Sequence, residues 1–244
     1  MLSHTTFCHK QRMRRGRHNV EAKDANLITR DQFMIMVREQ TRCFHCSCVL
    51  AWDGPSSPDM PSLDRICNTG TYTKNNVVLA CISCNDMRRD MTVQQFHIFL
   101  TTLAEEMNGL AEPDDYDVGT HNALAHMIYM RRCRDSKARG VWTAQQYVDL
   151  AKRQNYRCYY TGVKLRFPDK SAVKNKHLPW PCSFDQLDPQ GGYGENTVLC
   201  LRALNFMRRN WPPEKAKKKI RQTIVAFTPE VSAAPIQVVP IGQD

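Results

Sequence analysis

The chain repeats itself. Met13-Arg14-Arg15-Gly16-Arg17 returns as Met130-Arg131-Arg132-Cys133-Arg134, 117 residues on. Thr29-x-x-x-Phe33 returns as Thr143-x-x-x-Tyr147, and Arg42-Cys43-Phe44 as Arg157-Cys158-Tyr159. Ser62-Leu63-Asp64 returns as Ser183-Phe184-Asp185, and Asn85-Asp86-Met87-Arg88-Arg89 as Asn205-Phe206-Met207-Arg208-Arg209. The offset drifts only between 114 and 121 while the order is kept, so one unit has been duplicated. A chain of 244 residues has room for two small domains of roughly 100 to 120 residues, each able to hold its own core. Any function must make sense of both copies.

The stretch Asn108 to Thr120 carries Gly, Pro and four acidic residues, a composition that suits an exposed linker. The expected layout is repeat one over 1–107, linker 108–120, repeat two over 121–227 and a tail over 228–244. That tail holds three prolines and no Lys or Arg, and is expected to order only against a partner. Lys plus Arg number 34 against 24 acidic residues, net +10, which favours a polyanion such as DNA or RNA. No apolar run approaches the ~18 residues of a membrane span, so a membrane is not expected as partner. Eleven cysteines without a leading apolar segment point to an intracellular, reducing compartment and metal ligation rather than disulfides. Whether that compartment is nucleus, mitochondrion or a virus-infected cell stays open.

Within each repeat, Thr29 and Thr143 are placed to N-cap helices whose apolar positions, Phe33, Met36, Val37 and Tyr147, Leu150, Ala151, recur at helical spacing. An Arg-Cys turn and a Pro-containing loop follow. A strand is expected around Asp64 or Asp185, then a Gly-x-Tyr or Gly-Gly-Tyr turn, then a second strand beginning Asn-x-Val-Leu. Asn85 and Asn205 are expected to open a helix.

Two cysteine knuckles stand in repeat one. Cys43-x-x-Cys46 and Cys81-x-x-Cys84 can supply four thiolates to a tetrahedral structural zinc. The aligned positions of repeat two are Cys158, Thr161, Leu201 and Leu204, so that copy is expected to replace the metal by apolar packing. Cys48 and Cys67 lie near enough in sequence to be spare ligands, with buried thiols the expected reading.

The ordered set of short motifs, covering roughly residues 12 to 100 and 129 to 220, resembles the HNH endonuclease family. The Ser-Leu-Asp-Arg-Ile strand is similar to that of its phage and large-virus members. The resemblance implies an α+β fold of two tandem HNH-like ββα-metal domains with preceding helices, a pseudo-dimer in one chain, the first domain stapled by a four-cysteine zinc site. It also implies that Asp64 and Asp185 are acidic metal ligands, Asn76 and Asn196 bracing asparagines, and Asn85 and Asn205 the helix ligands of a Mg2+ or Mn2+ ion.

The position that holds the family's histidine base carries Arg65 in one copy and Gln186 in the other. Neither can deprotonate water, a loss that typically costs about 10² to 10⁴ in rate. His45, His97 and His177 are the substitute bases available. The sequence therefore favours a weakly catalytic or non-catalytic nucleic-acid-binding protein, of the kind found as a structural subunit of a large nucleoprotein such as a ribosome. An active divalent-metal DNA endonuclease is the other reading. In either case the phosphate contacts are expected from Arg14, Arg15, Arg17, Arg65, Arg88, Arg89, Arg131, Arg132, Arg134, Arg208 and Arg209.

Overall fold

The computed structural model describes residues 27–54, 57–109, 142–167, 179–192 and 194–227. Arg14, Arg15, Arg17, Arg131, Arg132, Arg134, His177, linker residues 110–120 and the tail 228–244 lie outside the described residues.

Repeat one runs α1 (Arg30–Glu39), β1 (Pro61–Arg65), a 3-10 turn (Lys74–Asn76), β2 (Val77–Cys81), α2 (Ile82–Arg88) and α3 (Val93–Asn108). Repeat two gives α4 (Ala144–Arg153), β3 (Cys182–Gln186), β4 (Thr197–Leu201), α5 (Arg202–Arg208) and α6 (Pro213–Val225). The class is mixed α+β, with two two-stranded sheets. Both are antiparallel hairpins in the same register: Asp64 faces Val78 across β1 and β2, and Asp185 faces Val198 across β3 and β4. Strand, turn, strand, helix is the order the sequence implied.

The chain divides into compact units at Ile82/Ser83. In the first unit, Phe33 and Met36 of α1 pack with Ile28, Leu63, Val77 and Leu79 into one buried cluster. Each such side chain contributes about 1.5 to 3 kcal/mol on burial. The helix that presents them is started by a reciprocal capping box between Thr29 and Gln32, and Thr143 with Gln146 does the same for α4.

The second unit holds α2 from Ser83 onward, α3, and the described part of repeat two. Tyr147 packs on Phe184 at 4.4 Å, joining α4 to β3. Helix α3 packs against α6, and Phe99 meets Trp180 edge-on at 4.8 Å. Helices α3 and α6 are repeat-mates 120 residues apart, and their burial follows one pattern: Phe96, Phe99, Leu100, Leu103 and Ala104 match Ala216, Lys219, Ile220, Thr223 and Ile224. Between α2 and α5 the contacts are reciprocal. Asp86 of repeat one pairs with Arg209 of repeat two, while Arg89 of repeat one lies 4.5 Å over the ring of Phe206, which is Asp86's own counterpart.

One boundary differs from expectation. Helices α2 and α5 begin at Ile82 and Arg202, three residues ahead of Asn85 and Asn205. Each strand runs directly into its helix, and Leu201 at the start of α5 makes no side-chain cap that a sequence pattern could flag. No helix among the described residues is long and apolar enough to cross a membrane.

Candidate functional site

In the first unit the Sγ atoms of Cys43, Cys46, Cys48 and Cys81 all lie within 4.8 Å of one another. The backbone builds this knuckle. Cys43 N–H donates to Cys48 O at 2.8 Å, Phe44 N–H to Leu79 O at 2.9 Å, and Arg42 Nη1 to Ser47 O at 2.9 Å. Ser47 closes the turn at φ 54°, where repeat two places Gly162 at φ 76°. Four thiolates about 2.3 Å from a tetrahedral zinc stand about 3.8 Å apart. Cys46 and Cys81 are 3.8 Å apart. The group can therefore hold a metal ion such as zinc. Side-chain hydrogen bonds from Cys43 and Cys46 hold the Cys48 thiol well above its ordinary range.

Three of the expected ligands, Cys43, Cys46 and Cys81, stand in this group, and Cys48 lies with them. Cys84 is buried on α2, in the second unit. The reversal at Ser47 folds Cys48, near enough in sequence to serve as a spare ligand, back onto the knuckle.

The third residue after each repeated arginine reaches the strand acid. His45 Nε2 lies 2.8 Å from Asp64 Oδ2, both side chains buried. In repeat two the matching residue is Tyr160, whose hydroxyl donates to Asp185 Oδ2 at 2.5 Å. Asp185 has a second partner: Arg208, 1% exposed, donates from Nη1 to Oδ1 at 2.7 Å. The same guanidinium donates to the carbonyls of Gln186 and Leu187, both at 2.5 Å. Both oxygens of Asp185 are thus engaged, and a fixed cation lies against one of them. Burial raises Asp185 above the ordinary carboxylate range, against the lowering pull of Tyr160 and Arg208. The Tyr160 phenol is pushed far up, by burial first and by the adjacent carboxylate second.

Asn205 turns its amide inward, donating Nδ2 to Ser183 Oγ at 2.9 Å and to Phe184 O at 2.7 Å. Asp185 and Asn205 come together around one polar cleft of about 260 Å3, whose walls also include Gln186, Arg209 and Asn210. In repeat one, Asp64 belongs to the first unit and Asn85 to the second.

Asn76 and Asn196 brace the hairpin turns. Asn76 accepts from Cys67 N–H at 2.8 Å and donates to Thr71 O at 2.8 Å; Asn196 accepts from Asp188 N–H at 2.7 Å and donates to Gly192 O at 3.0 Å. Room for each amide comes from a glycine: a Cβ on Gly70 would stand 2.6 Å from Asn76 Nδ2, and one on Gly191 2.8 Å from Asn196 Nδ2.

The described arginines expected as phosphate contacts separate into inner and outer sets. Arg88 and Arg208 are buried at 0% and 1% exposure, because each α-helix turns that position toward its own core. A guanidinium so placed offers no surface to a polyanion. Arg65 donates to Gly70 O at 3.1 Å and lies over Tyr72. Arg209 is held by Asp86, and Arg89 is exposed. The substitute base His45 is committed to Asp64, and His97 packs 5.3 Å from the Phe227 ring.

Two positions escaped sequence reasoning altogether. Gln40 and Gln154 each pair with the outer edge of a second strand, Nε2 donating to Leu79 O or Leu199 O and Oε1 accepting from the same residue's N–H. Gln40 stands two residues ahead of Arg42 and Gln154 three ahead of Arg157, a slip of one residue that hides the correspondence. Comparison with known protein families, with curated proteins and with solved structures finds no match to this chain.

Proposed function

We propose that this is a nucleic-acid-binding protein built of two degenerate HNH-endonuclease-like repeats, with a zinc-stapled knuckle in the first and no hydrolytic centre in the second. The observation that carries the reading is the state of Asp185. A carboxylate that ligates Mg2+ must offer lone pairs to the ion, and a neighbouring guanidinium repels the ion it is meant to attract. Arg208 supplies the positive charge at this acid, and Tyr160 takes the other oxygen. With Gln186 where the base would stand, neither component of metal-assisted hydrolysis is provided.

The net charge of +10 supports a polyanionic partner. Such a chain suits a structural subunit of a large nucleoprotein such as a ribosome. The reciprocal contacts of α2 and α5 support a pseudo-dimer of repeats in one chain. Zinc in this reading is structural, held by Cys43, Cys46, Cys48 and Cys81.

Binding of labelled RNA and DNA over a salt series tests the proposal. A log K that falls steeply with log salt, without added Mg2+, is the expected result; no binding at low salt overturns it. The second reading, a divalent-metal endonuclease, draws on Asp185 and Asn205 lining one polar cleft. It requires nicking of supercoiled DNA that appears only with Mg2+ or Mn2+.

A further inference from the structure

Duplication supplies an internal control for surface charge. Helices α3 and α6 descend from one element, pack against each other, and share a burial pattern 120 residues apart, so the scaffold asks the same of both. Their exposed faces nevertheless differ in charge. On α6 the exposed positions include Lys215, Lys218 and Arg221. Their counterparts on α3 are Gln95, Ile98 and Thr101, and α3 carries no Lys or Arg anywhere in its sixteen residues. Solubility alone does not explain the difference, since α3 meets solvent over the same face with Ile98 58% exposed.

The spacing i, i+3, i+6 puts these three cations on one side of the helix, about 4.5 Å apart along its axis. Glu214 is the one acid in the α6 sequence, and it is paired with Lys217 at 3.0 Å. Lys217 also lies 4.3 Å over the Tyr159 ring, on the shoulder of the stripe. The solvent face of α6 is therefore net positive. Opposite it, Ala216, Ile220, Thr223 and Ile224 are buried in the core, so α6 has no free apolar face with which to enter a lipid surface.

We infer that the exposed face of α6 is the phosphate-tracking surface of this protein, with Lys215, Lys218 and Arg221 lying along a nucleic-acid backbone, and that the matching face of α3 has no such role. The inference rests on the nucleic-acid reading above and moves its contacts from the inner arginines of α2 and α5 to one helix of repeat two.

The test uses the full chain carrying Lys215→Gln, Lys218→Gln and Arg221→Gln together, titrated with labelled RNA and DNA duplexes over a salt series. Loss of three contacts should lower the slope of log K against log salt by roughly 2 to 3 and weaken binding at low salt by more than about tenfold. The charge-keeping set Lys215→Arg, Lys218→Arg and Arg221→Lys should retain the wild-type slope, and thermal midpoints show whether either variant has lost its fold. Wild-type slope and affinity in the glutamine variant overturn the assignment to α6 while leaving nucleic-acid binding in place. Loss of binding to anionic phospholipid vesicles, with nucleic-acid binding unchanged, also overturns it. A wild-type chain that binds neither RNA nor DNA overturns this inference and the proposed function together.

Discussion

Asp185 decides the chemistry of repeat two through its partners. Its carboxylate compensates a buried guanidinium, so removing it should cost more than removing a surface acid. Asp185→Ala should destabilise by about 3 to 5 kcal/mol in urea unfolding, because Arg208 would be left as an uncompensated buried charge. Combining it with Arg208→Met should cost less than the two changes added, as expected for residues acting as one unit. Additive effects would contradict the pairing. Of this arrangement the sequence showed the acid, since Ser-x-Asp stands in both copies. It did not show the partners: Tyr160 and Arg208 lie 25 and 23 residues away along the chain, and residue type alone does not say which way a side chain points. For the same reason both arginines of Asn-x-Met-Arg-Arg read as phosphate contacts, although the helical period sends Arg208 inward.

At the scale of elements, each hairpin is held by two amide side chains, one at its turn and one on the outer edge of its second strand. Gly191→Ala should force Asn196 off the turn and cost about 1 to 3 kcal/mol, and Gly70→Ala should do the same through Asn76. Gln154→Ala should cost about 1 to 3 kcal/mol by exposing the paired edge of β4. Melting curves with wild-type midpoints would show that these amides do not brace the hairpins. The elements themselves were legible where apolar periodicity and capping agree, as at Thr29 and Thr143 with α1 and α4. They were not legible where a strand turns into a helix without a polar cap, which is why α2 and α5 start three residues early. Gln40 and Gln154 were invisible because a glutamine in a loop carries no pattern; only the structure shows that each extends a strand by one residue's worth of hydrogen bonding.

For the whole molecule, the two repeats keep one hairpin-and-helix scaffold and differ in what closes the knuckle. Repeat one gathers four cysteines there. Repeat two keeps Cys158, a buried thiol that burial raises above the ordinary range, against a lowering pull from the Thr161 side chain. Metal analysis of the purified chain should find one zinc. Cys46→Ser, Cys48→Ser and Cys81→Ser should each lose it, with a large fall in thermal stability of the first unit, because structural zinc binding on the order of 10 kcal/mol is coupled to folding. Zinc kept in Cys48→Ser and lost in Cys84→Ser would restore the two evenly spaced knuckles read from the sequence, three of whose cysteines stand in the observed group.

We propose that two nuclease-like repeats bind nucleic acid without cutting it. The most direct test incubates supercoiled DNA and a structured RNA with the zinc-loaded chain, with and without added Mg2+ or Mn2+. Omitting the added ion is preferable to a chelator, which would strip the knuckle. Salt-sensitive binding with intact DNA and RNA in every condition is the predicted result. Metal-dependent nicking that disappears in the double variant Asp64→Asn, Asp185→Asn would contradict it and make the strand acids metal ligands after all.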